Sequence, residues 1–294
     1  MLNFSTFVQK LKHKLRVARA LNELSQRVRQ PRAPKPHGLP HPLVVSLTSY
    51  SARFPVLELT LKGILHQSVG ADKTVLWVSR ADYANLPESV LALRNEGLEI
   101  AQCEDLKSFK KIIPTLRLYP DSFIVTLDDD VYYRETLLEE LISAYDSNSP
   151  AIICHRAHEV TVGASGLPRP YAEWKKIRSE RRSPLVFPTG VMGVLYPPGV
   201  FHEDVCNEDL FQALCPTADD VWLYWMWRLK GNEAKKIGGR TRILEWPSSQ
   251  SVNLRSPNTQ NGGNDACIAR LVARYGLPGF AASGPVPSSG QSGS

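Results

Sequence analysis

Three adjacent carboxylates, Asp128, Asp129 and Asp130, follow an apolar run in the stretch IVTLDDDVYY (124–133). Two like charges about 4 Å apart repel by roughly 1 kcal/mol in water and roughly 4 kcal/mol near a protein surface. A helix cap accounts for one such aspartate. A hard divalent cation accounts for all three, because it prefers carboxylate oxygens and turns their repulsion into attraction. A second acidic pair, Asp219 and Asp220, opens ADDVWLYWMWRLKG (218–231). The helix macrodipole favours acids there, and a carboxylate at a cleft can also accept a proton. Other chemistry-bearing groups gather at segment ends. Thr48, Ser49, Tyr50 and Arg53 follow LVVS, Lys110 and Lys111 precede IIP, and CHRAH carries His155, Arg156 and His158. Arg53 and Lys111 suit phosphate pairing, and Tyr50 suits stacking on a base. Two histidines three apart are a weak metal signal, so Arg156 is the favoured contact in CHRAH. Thr189, Gly190 and Gly193 lie where few side chains would hinder close approach of a ligand. Each of these groups also has a plainer reading as a solvated or packed residue.

These groups need elements to hold them. LVVSLTSY (43–50), KTVLWVS (73–79), LEIAQC (98–103) and SFIVTL (122–127) have the apolar, β-branched content of buried strands. Between them, 56–67, 87–95 and 109–120 have helical spacing, as does 134–146 afterwards. Alternating strand and helix predicts a mostly parallel sheet with crossover helices, whose ligands bind at the carboxyl ends of the strands. Asp128, Asp129 and Asp130 stand at one such end. The second half is predicted to be mixed: a strand in 151–158, an apolar Gly- and Pro-rich run at 184–201, and an aromatic helix at 218–231. Trp222, Tyr224, Trp225 and Trp227 recur too densely for one face, so most are expected in the core, with one available as a sugar platform.

The 294 residues suffice for one large α/β domain, and 43% hydrophobic with 22% charged residues is ordinary for a globular chain. No apolar run approaches the about 18 residues of a membrane span, and no secretory signal is evident. Five scattered cysteines without a CxxC pair suggest reduced thiols and no zinc site. The net charge of +6 is unevenly placed. Residues 1–40 hold nine basic residues and one acid, whereas the rest holds 26 basic and 28 acidic. The body is therefore slightly acidic, and a nucleic-acid-binding core is not supported. Residues 3–29 have helical spacing at Phe4, Phe7, Val8, Leu11, Leu15 and Ala18, with bases between. This basic amphipathic helix suits an anionic membrane surface, or packing on the body or a partner, and less well an organelle-targeting segment. Residues 31–42 (PRAPKPHGLPHP) read as a linker, and 276–294 as a disordered tail.

The order of these features resembles the GT-A class of nucleotide-sugar glycosyltransferases. Five phrases are similar to a family of bacterial polysaccharide or lipopolysaccharide glycosyltransferases: VSLTSYSARF, KKIIPTLRLYPDSFIVTLDDDVYY, ICHRAH, FPTGVMGVLYPP and CPTADDVWLYWM. The resemblance covers roughly residues 43–265. It implies an α/β, Rossmann-like GT-A fold in one catalytic domain (43–275), with a mostly parallel central sheet flanked by helices. It implies a divalent metal, Mn²⁺ or Mg²⁺, held by Asp130, with Asp128 facing the ribose or donor sugar and reaching the metal through water; the part of Asp129 stays open. Thr48, Ser49, Tyr50, Arg53 and Lys111 would contact the nucleotide and its phosphates. His155, Arg156, Thr189 and Gly190 would line the substrate site. Asp219 would contact the acceptor, and Asp220 would be the base of an inverting transfer. The implied donor is a nucleotide sugar, a UDP-sugar foremost, and the implied acceptor a glycan or lipid-linked glycan. The scattered cysteines suit a cytoplasmic protein, and the basic arm suits peripheral attachment to the cytoplasmic face of a membrane, where such acceptors are made. The family's late histidine ligand has no counterpart, since no histidine follows His202; Asn264, Asp265 or the diphosphate itself could complete the metal. Two rival readings are a sugar-nucleotidyltransferase, disfavoured because SLTSYSARF lacks glycines, and a non-catalytic glycan-binding protein, opposed by the intact acidic clusters.

Overall fold

The computed structural model describes residues 4–247 and 262–279. Helix α1 (Phe4–Arg29) leads to β1 (Leu43–Thr48), α2 (Phe54–Leu65), β2 (Lys73–Ser79), α3 (Arg80–Tyr83), α4 (Glu88–Ala92) and β3 (Leu98–Cys103). Then follow α5 (Ile113–Leu118), β4 (Phe123–Thr126), α6 (Leu137–Ser143), β5 (Ile152–Cys154), β6 (Ala157–Glu159), β7 (Lys175–Lys176) and β8 (Arg181–Ser183). The chain continues with β9 (Val186–Pro188), β10 (Val194–Tyr196), α7 (Glu208–Leu214), α8 (Asp219–Leu229), β11 (Ala234–Lys236) and α9 (Gly263–Tyr275).

The central sheet has the order β3-β2-β1-β4-β10-β5-β11-β8. Strands β3, β2, β1 and β4 are parallel, β10 runs against both its neighbours, and β8 runs against β11. This is the expected α/β architecture, a mostly parallel sheet flanked by helices. Strands β1 and β4 are covered on both faces, which is why they read as continuous apolar runs. Their carboxyl ends lie side by side, so the residues after Thr48 and after Thr126 share one edge.

The second half departs from the sequence reading in an instructive way. The predicted strand 151–158 is two strands in two sheets. β5 belongs to the large sheet, and β6 to a small antiparallel sheet of order β7-β6-β9. The run 184–201 divides likewise, β9 joining the small sheet and β10 the large one. The breaks, at His155–Arg156 and Thr189–Gly193, lie where the sheets diverge, and Thr189 N–H donates to the Arg156 carbonyl across them at 3.0 Å. Helix α6 is shorter than the 134–146 expected, and α7, α9, β7, β8 and β11 were not anticipated.

Helix α8 is buried from Val221 to Arg228, with Trp222, Tyr224, Trp225 and Trp227 each no more than 1% exposed. A helix apolar on every side belongs in a core, and each such side chain contributes about 1.5–3 kcal/mol. None of the four lines the cleft described below, so no sugar platform comes from α8.

Helix α1 docks by a face other than the one its leucine spacing suggested. Val17, Ala20 and Leu24 are buried, the last two in a cluster with Val56 and Trp246, while Leu11 and Leu15 stand in solvent. Its last turns touch the segment after the three aspartates. The Tyr132 hydroxyl donates to Glu23 at 2.7 Å, and Arg27 donates to the Tyr133 carbonyl at 3.2 Å. Residues 31–42 lie along the body, with Lys35 bonded to Ser68 and Gly70 through the backbone. The expected tail lies outside the described residues from 280 onward.

Candidate active site

A cleft of about 1010 Å³ opens at the carboxyl ends of β1 and β4 and runs toward the small sheet. Among its lining residues are Thr48, Ser49, Tyr50, Arg53, Lys111, all three of Asp128–Asp130, Arg156, Thr189, Gly190, Asp219 and Asp220. The structure thus brings together most of the residues singled out from the sequence, while His155, Gly193 and Asp265 do not line the cleft.

The turn after β4 gives each aspartate its own partner. Asp128 Oδ1 lies 3.3 Å from Lys111 Nζ, and Asp129 accepts from the Ser49 hydroxyl at 2.5 Å. Asp130 is buried in an ion pair with Arg53. Burial and its acidic neighbours push the Asp129 carboxyl up to about 7, against the lowering effect of Ser49 and Arg53. Asp130 is also raised, by burial first, with Arg53 opposing and Asp128 and Glu245 adding to it. These residues do not cap the next helix, which starts at Leu137 after Thr136.

The acidic pair on α8 is organised differently. The helix is capped at Ala218 without any side-chain bond, so the carboxylates are free for other partners. Asp219 pairs with Lys111 at 3.0 Å. Asp220 receives the Gly190 N–H at 3.2 Å from both of its oxygens. Burial, then the charge of Asp219, pushes the Asp220 carboxyl up to about 7, with Lys111 and the Gly190 N–H opposing. A general base works best with a pKa near the working pH.

Lys111 joins the two clusters. It stands in a 3₁₀ turn (Lys107–Lys111) anchored by the fully buried Ile112 and Ile113. Burial alone would lower its pKa, but Asp219, Asp128 and Asp220 outweigh that and hold it well above its ordinary value. It is therefore a permanent cation. Gly190 makes room for it: a Cβ there would come within 2.8 Å of Lys111 Nζ and 3.2 Å of Asp220 Oδ1. The turn that carries Gly190 includes Met192 at φ 77°, a left-handed conformation unusual for a residue with a side chain. His155 supports it, with Nδ1 3.2 Å from the Met192 carbonyl and Nε2 2.8 Å from Glu140. This is the place of His155: buried behind the turn, not facing the cleft.

The remaining positions are mixed. The Thr48 hydroxyl is taken by the Trp77 carbonyl at 2.8 Å, and Arg156 donates to the Thr189 hydroxyl at 2.5 Å. Lys110 turns to Asp105 at 2.7 Å. Arg53 reaches Asp130, the expected metal ligand, and its Nε lies 3.3 Å from the Tyr50 hydroxyl. Of the two candidate late ligands, Asp265 is held by the Tyr171 N–H at 2.7 Å, and Asn264 lines the cleft. Glu245, Tyr171 and Trp174 line it as well and were not foreseen. Glu245 arrives through a bridge to Val131, 114 residues away in the chain, which no local pattern announces.

Among the described residues no group of three His, Cys, Asp or Glu side chains is placed to hold a metal ion. Asp128 and Asp130 nonetheless match a hard divalent cation in kind: Mg²⁺ sites commonly use one or two carboxylates, several waters and substrate phosphates.

No protein-family model and no curated protein matches the chain. Solved structures similar to it include a mannosyltransferase from Pyrobaculum calidifontis in complex with GDP-mannose and Mn²⁺. That likeness has 11% identity and a TM-score of 0.43, and covers 91% of this chain and 84% of the other. The N-terminal part of Staphylococcus aureus TarS is similar at 13% identity and TM-score 0.44, over 79% of this chain and 72% of that one. The inositol-1-phosphate CTP transferase from T. maritima is similar at 12% identity and TM-score 0.40, over 79% and 96%.

Proposed function

We propose that this protein is a metal-dependent glycosyltransferase of GT-A type that moves a sugar, with inversion, from a nucleotide donor to a glycan or lipid-linked glycan. The observation that carries this reading is the joining of two acidic clusters across one buried lysine in a single cleft. One cluster lies at the strand end where a nucleotide diphosphate would sit. The other contains a carboxylate whose pKa stands near 7. In the proposed step an acceptor oxygen attacks the anomeric carbon, its proton passes to Asp220, and the bond to the diphosphate breaks with the electron pair leaving on the phosphate oxygen. Lys111 supplies a fixed positive charge close to that base and to Asp128. Asp128 and Asp130 would hold a divalent metal, whose charge would stabilise the diphosphate as it leaves. Arg53 pairs with Asp130, so a metal held by Asp130 would compete with that guanidinium, which could instead pair with a phosphate.

The test is release of nucleoside diphosphate from a panel of sugar nucleotides, with Mn²⁺, with a chelator, and with Asp130→Ala. Release from one donor that disappears in both controls supports the reading and names the donor. Pyrophosphate formed from a nucleoside triphosphate and a sugar phosphate would instead make it a nucleotidyltransferase. Donor binding without turnover, even with glycan acceptors present, would favour a binding protein.

The basic arm fits an anionic membrane surface. Leu11 and Leu15 are 48% and 52% exposed on α1 among lysines and arginines, a pattern suited to shallow insertion with charge attraction. No described helix is long and apolar enough to cross a membrane. Sedimentation with phosphatidylglycerol vesicles should fall sharply when both leucines become glutamate; equal binding with and without residues 1–40 removes the proposal.

A further inference from the structure

Two polar side chains on the Asp220 side of the cleft are buried without partners. His158 on β6 is 9% exposed, and neither ring nitrogen has a hydrogen-bond partner. Asn264, in the first turn of α9, is 6% exposed, and its Oδ1 has none. Both line the cleft. An unsatisfied buried polar group costs about 1–3 kcal/mol, so two in one wall are expensive as mere packing. Tyr171 links the neighbourhoods of the two. Its ring centroid is 5.5 Å from that of His158, and its N–H is held by Asp265, the neighbour of Asn264. Asp220 is close enough to raise the Tyr171 phenol further, beyond the effect of burial. Trp174 stacks obliquely on Tyr171 at 5.0 Å and gives the wall an apolar face.

We propose that His158, Tyr171 and Asn264 form a subsite that recognises hydroxyl groups of the acceptor saccharide beside Asp220. The proposal rests on the glycosyl-transfer reading for the word acceptor, and on the geometry for the rest. The chemistry of the unpartnered groups selects the ligand. Burial, then Arg156 and Lys176, push the His158 pKa down to about 4, so its imidazole is neutral and offers one donor and one acceptor. Asn264 Oδ1 offers an acceptor only. A phosphate or carboxylate would gain no charge from either and would be repelled by the amide oxygen. Hydroxyl groups can donate to the amide oxygen and can donate to or accept from the imidazole. An apolar ring face with a few fixed polar groups is also the usual construction of a small-molecule site. A site built to bond a hydroxyl discriminates strongly against a ligand that lacks it, because the buried groups are then left unpaired.

The experiment is saturation-transfer NMR on the full chain, with the methyl glycosides of glucose, galactose, mannose and N-acetylglucosamine as probes. At least one should bind, and its affinity should fall about tenfold or more in His158→Phe and in Asn264→Leu, which keep volume and lose the polar atoms. His158→Gln keeps a donor and an acceptor and should retain most of the binding that His158→Phe loses, which a change in folding alone would not produce. Binding that survives both volume-keeping variants, or no binding by any glycoside, overturns the subsite. Nucleoside diphosphate release from donor alone separates the two readings. Its persistence without glycoside binding leaves the transferase standing and removes the subsite; glycoside binding without any donor turnover does the reverse.

Discussion

The two acidic clusters use the same side chain for different ends. Asp128–Asp130 stand on a turn, each with a separate partner: the Lys111 and Arg53 cations for Asp128 and Asp130, and the hydrogen-bonding Ser49 hydroxyl for Asp129. Asp219 and Asp220 stand in the first turn of a buried helix, Asp219 paired with Lys111 and Asp220 accepting from the Gly190 N–H. Carboxylates with separate, replaceable partners can exchange them for a cation. A carboxylate crowded by another and short of compensation keeps its proton up to about pH 7 and can trade it there. Neighbourhood, not residue type, divides the labour.

Removing the shared partner should break this division most severely. Lys111→Met leaves Asp128 and Asp219 facing each other without a cation, and loss of one member of a buried pair costs about 3–5 kcal/mol. We expect donor turnover to vanish and the urea midpoint to fall strongly. Asp220→Asn should follow, lowering turnover about 10²–10⁴-fold with little change in donor binding. Its pH dependence has a definite sign. The native Asp220 pKa of about 7 lies above the ordinary 3.8, so the native state holds a proton that the unfolded chain gives up in that window. Stability therefore declines as pH rises from about 4 to about 7. Asp129, also raised to about 7, contributes a decline of the same sign. The asparagine variant should therefore show a shallower slope than wild type and be the more stable protein above pH 7, while wild-type turnover rises through pH 7. Thermal melts and rates across pH check both.

Gly190→Ala is the next in size. Its Cβ would meet Lys111 at 2.8 Å and Asp220 at 3.2 Å, so the cluster must spread and turnover should drop by about tenfold or more. Retained activity would show that the lysine has room to move. Ser49→Ala should be the mildest, costing about 1 kcal/mol in denaturant unfolding and raising the Asp129 pKa further. Metal titrations near neutral pH should then weaken in the variant and recover as pH rises.

Much of the first half was legible from sequence because its strands are buried on both faces and its helices carry a clear period. β2 and β3 begin and end where their apolar runs do. The second half was less so, since its strands are three residues or fewer and change sheets within one apolar run. The acidic clusters were visible because adjacent carboxylates are costly without a purpose. Their meeting through Lys111 was not visible, because a lysine in a 3₁₀ turn looks solvated until its position above the sheet is known. His155 misled for the complementary reason: its polar ring serves a strained turn instead of the cleft. His158 and Asn264 gained meaning only once their lack of partners could be seen.

The seam between α1 and the turn after the three aspartates has a mechanical consequence. With Glu23 on Tyr132 and Arg27 on Tyr133, a helix about 39 Å long is fixed to the segment that directly follows the three aspartates of the cleft. Such a connection is a strut rather than a leash. Any surface that grips the outer half of α1 would set both the standoff height and the tilt of the opening. The body could drift sideways along that surface but could not swing freely. Encounters with anything embedded there would become a two-dimensional search at one fixed depth, and the length and rigidity of the helix would decide which part of a long substrate comes level with Asp220.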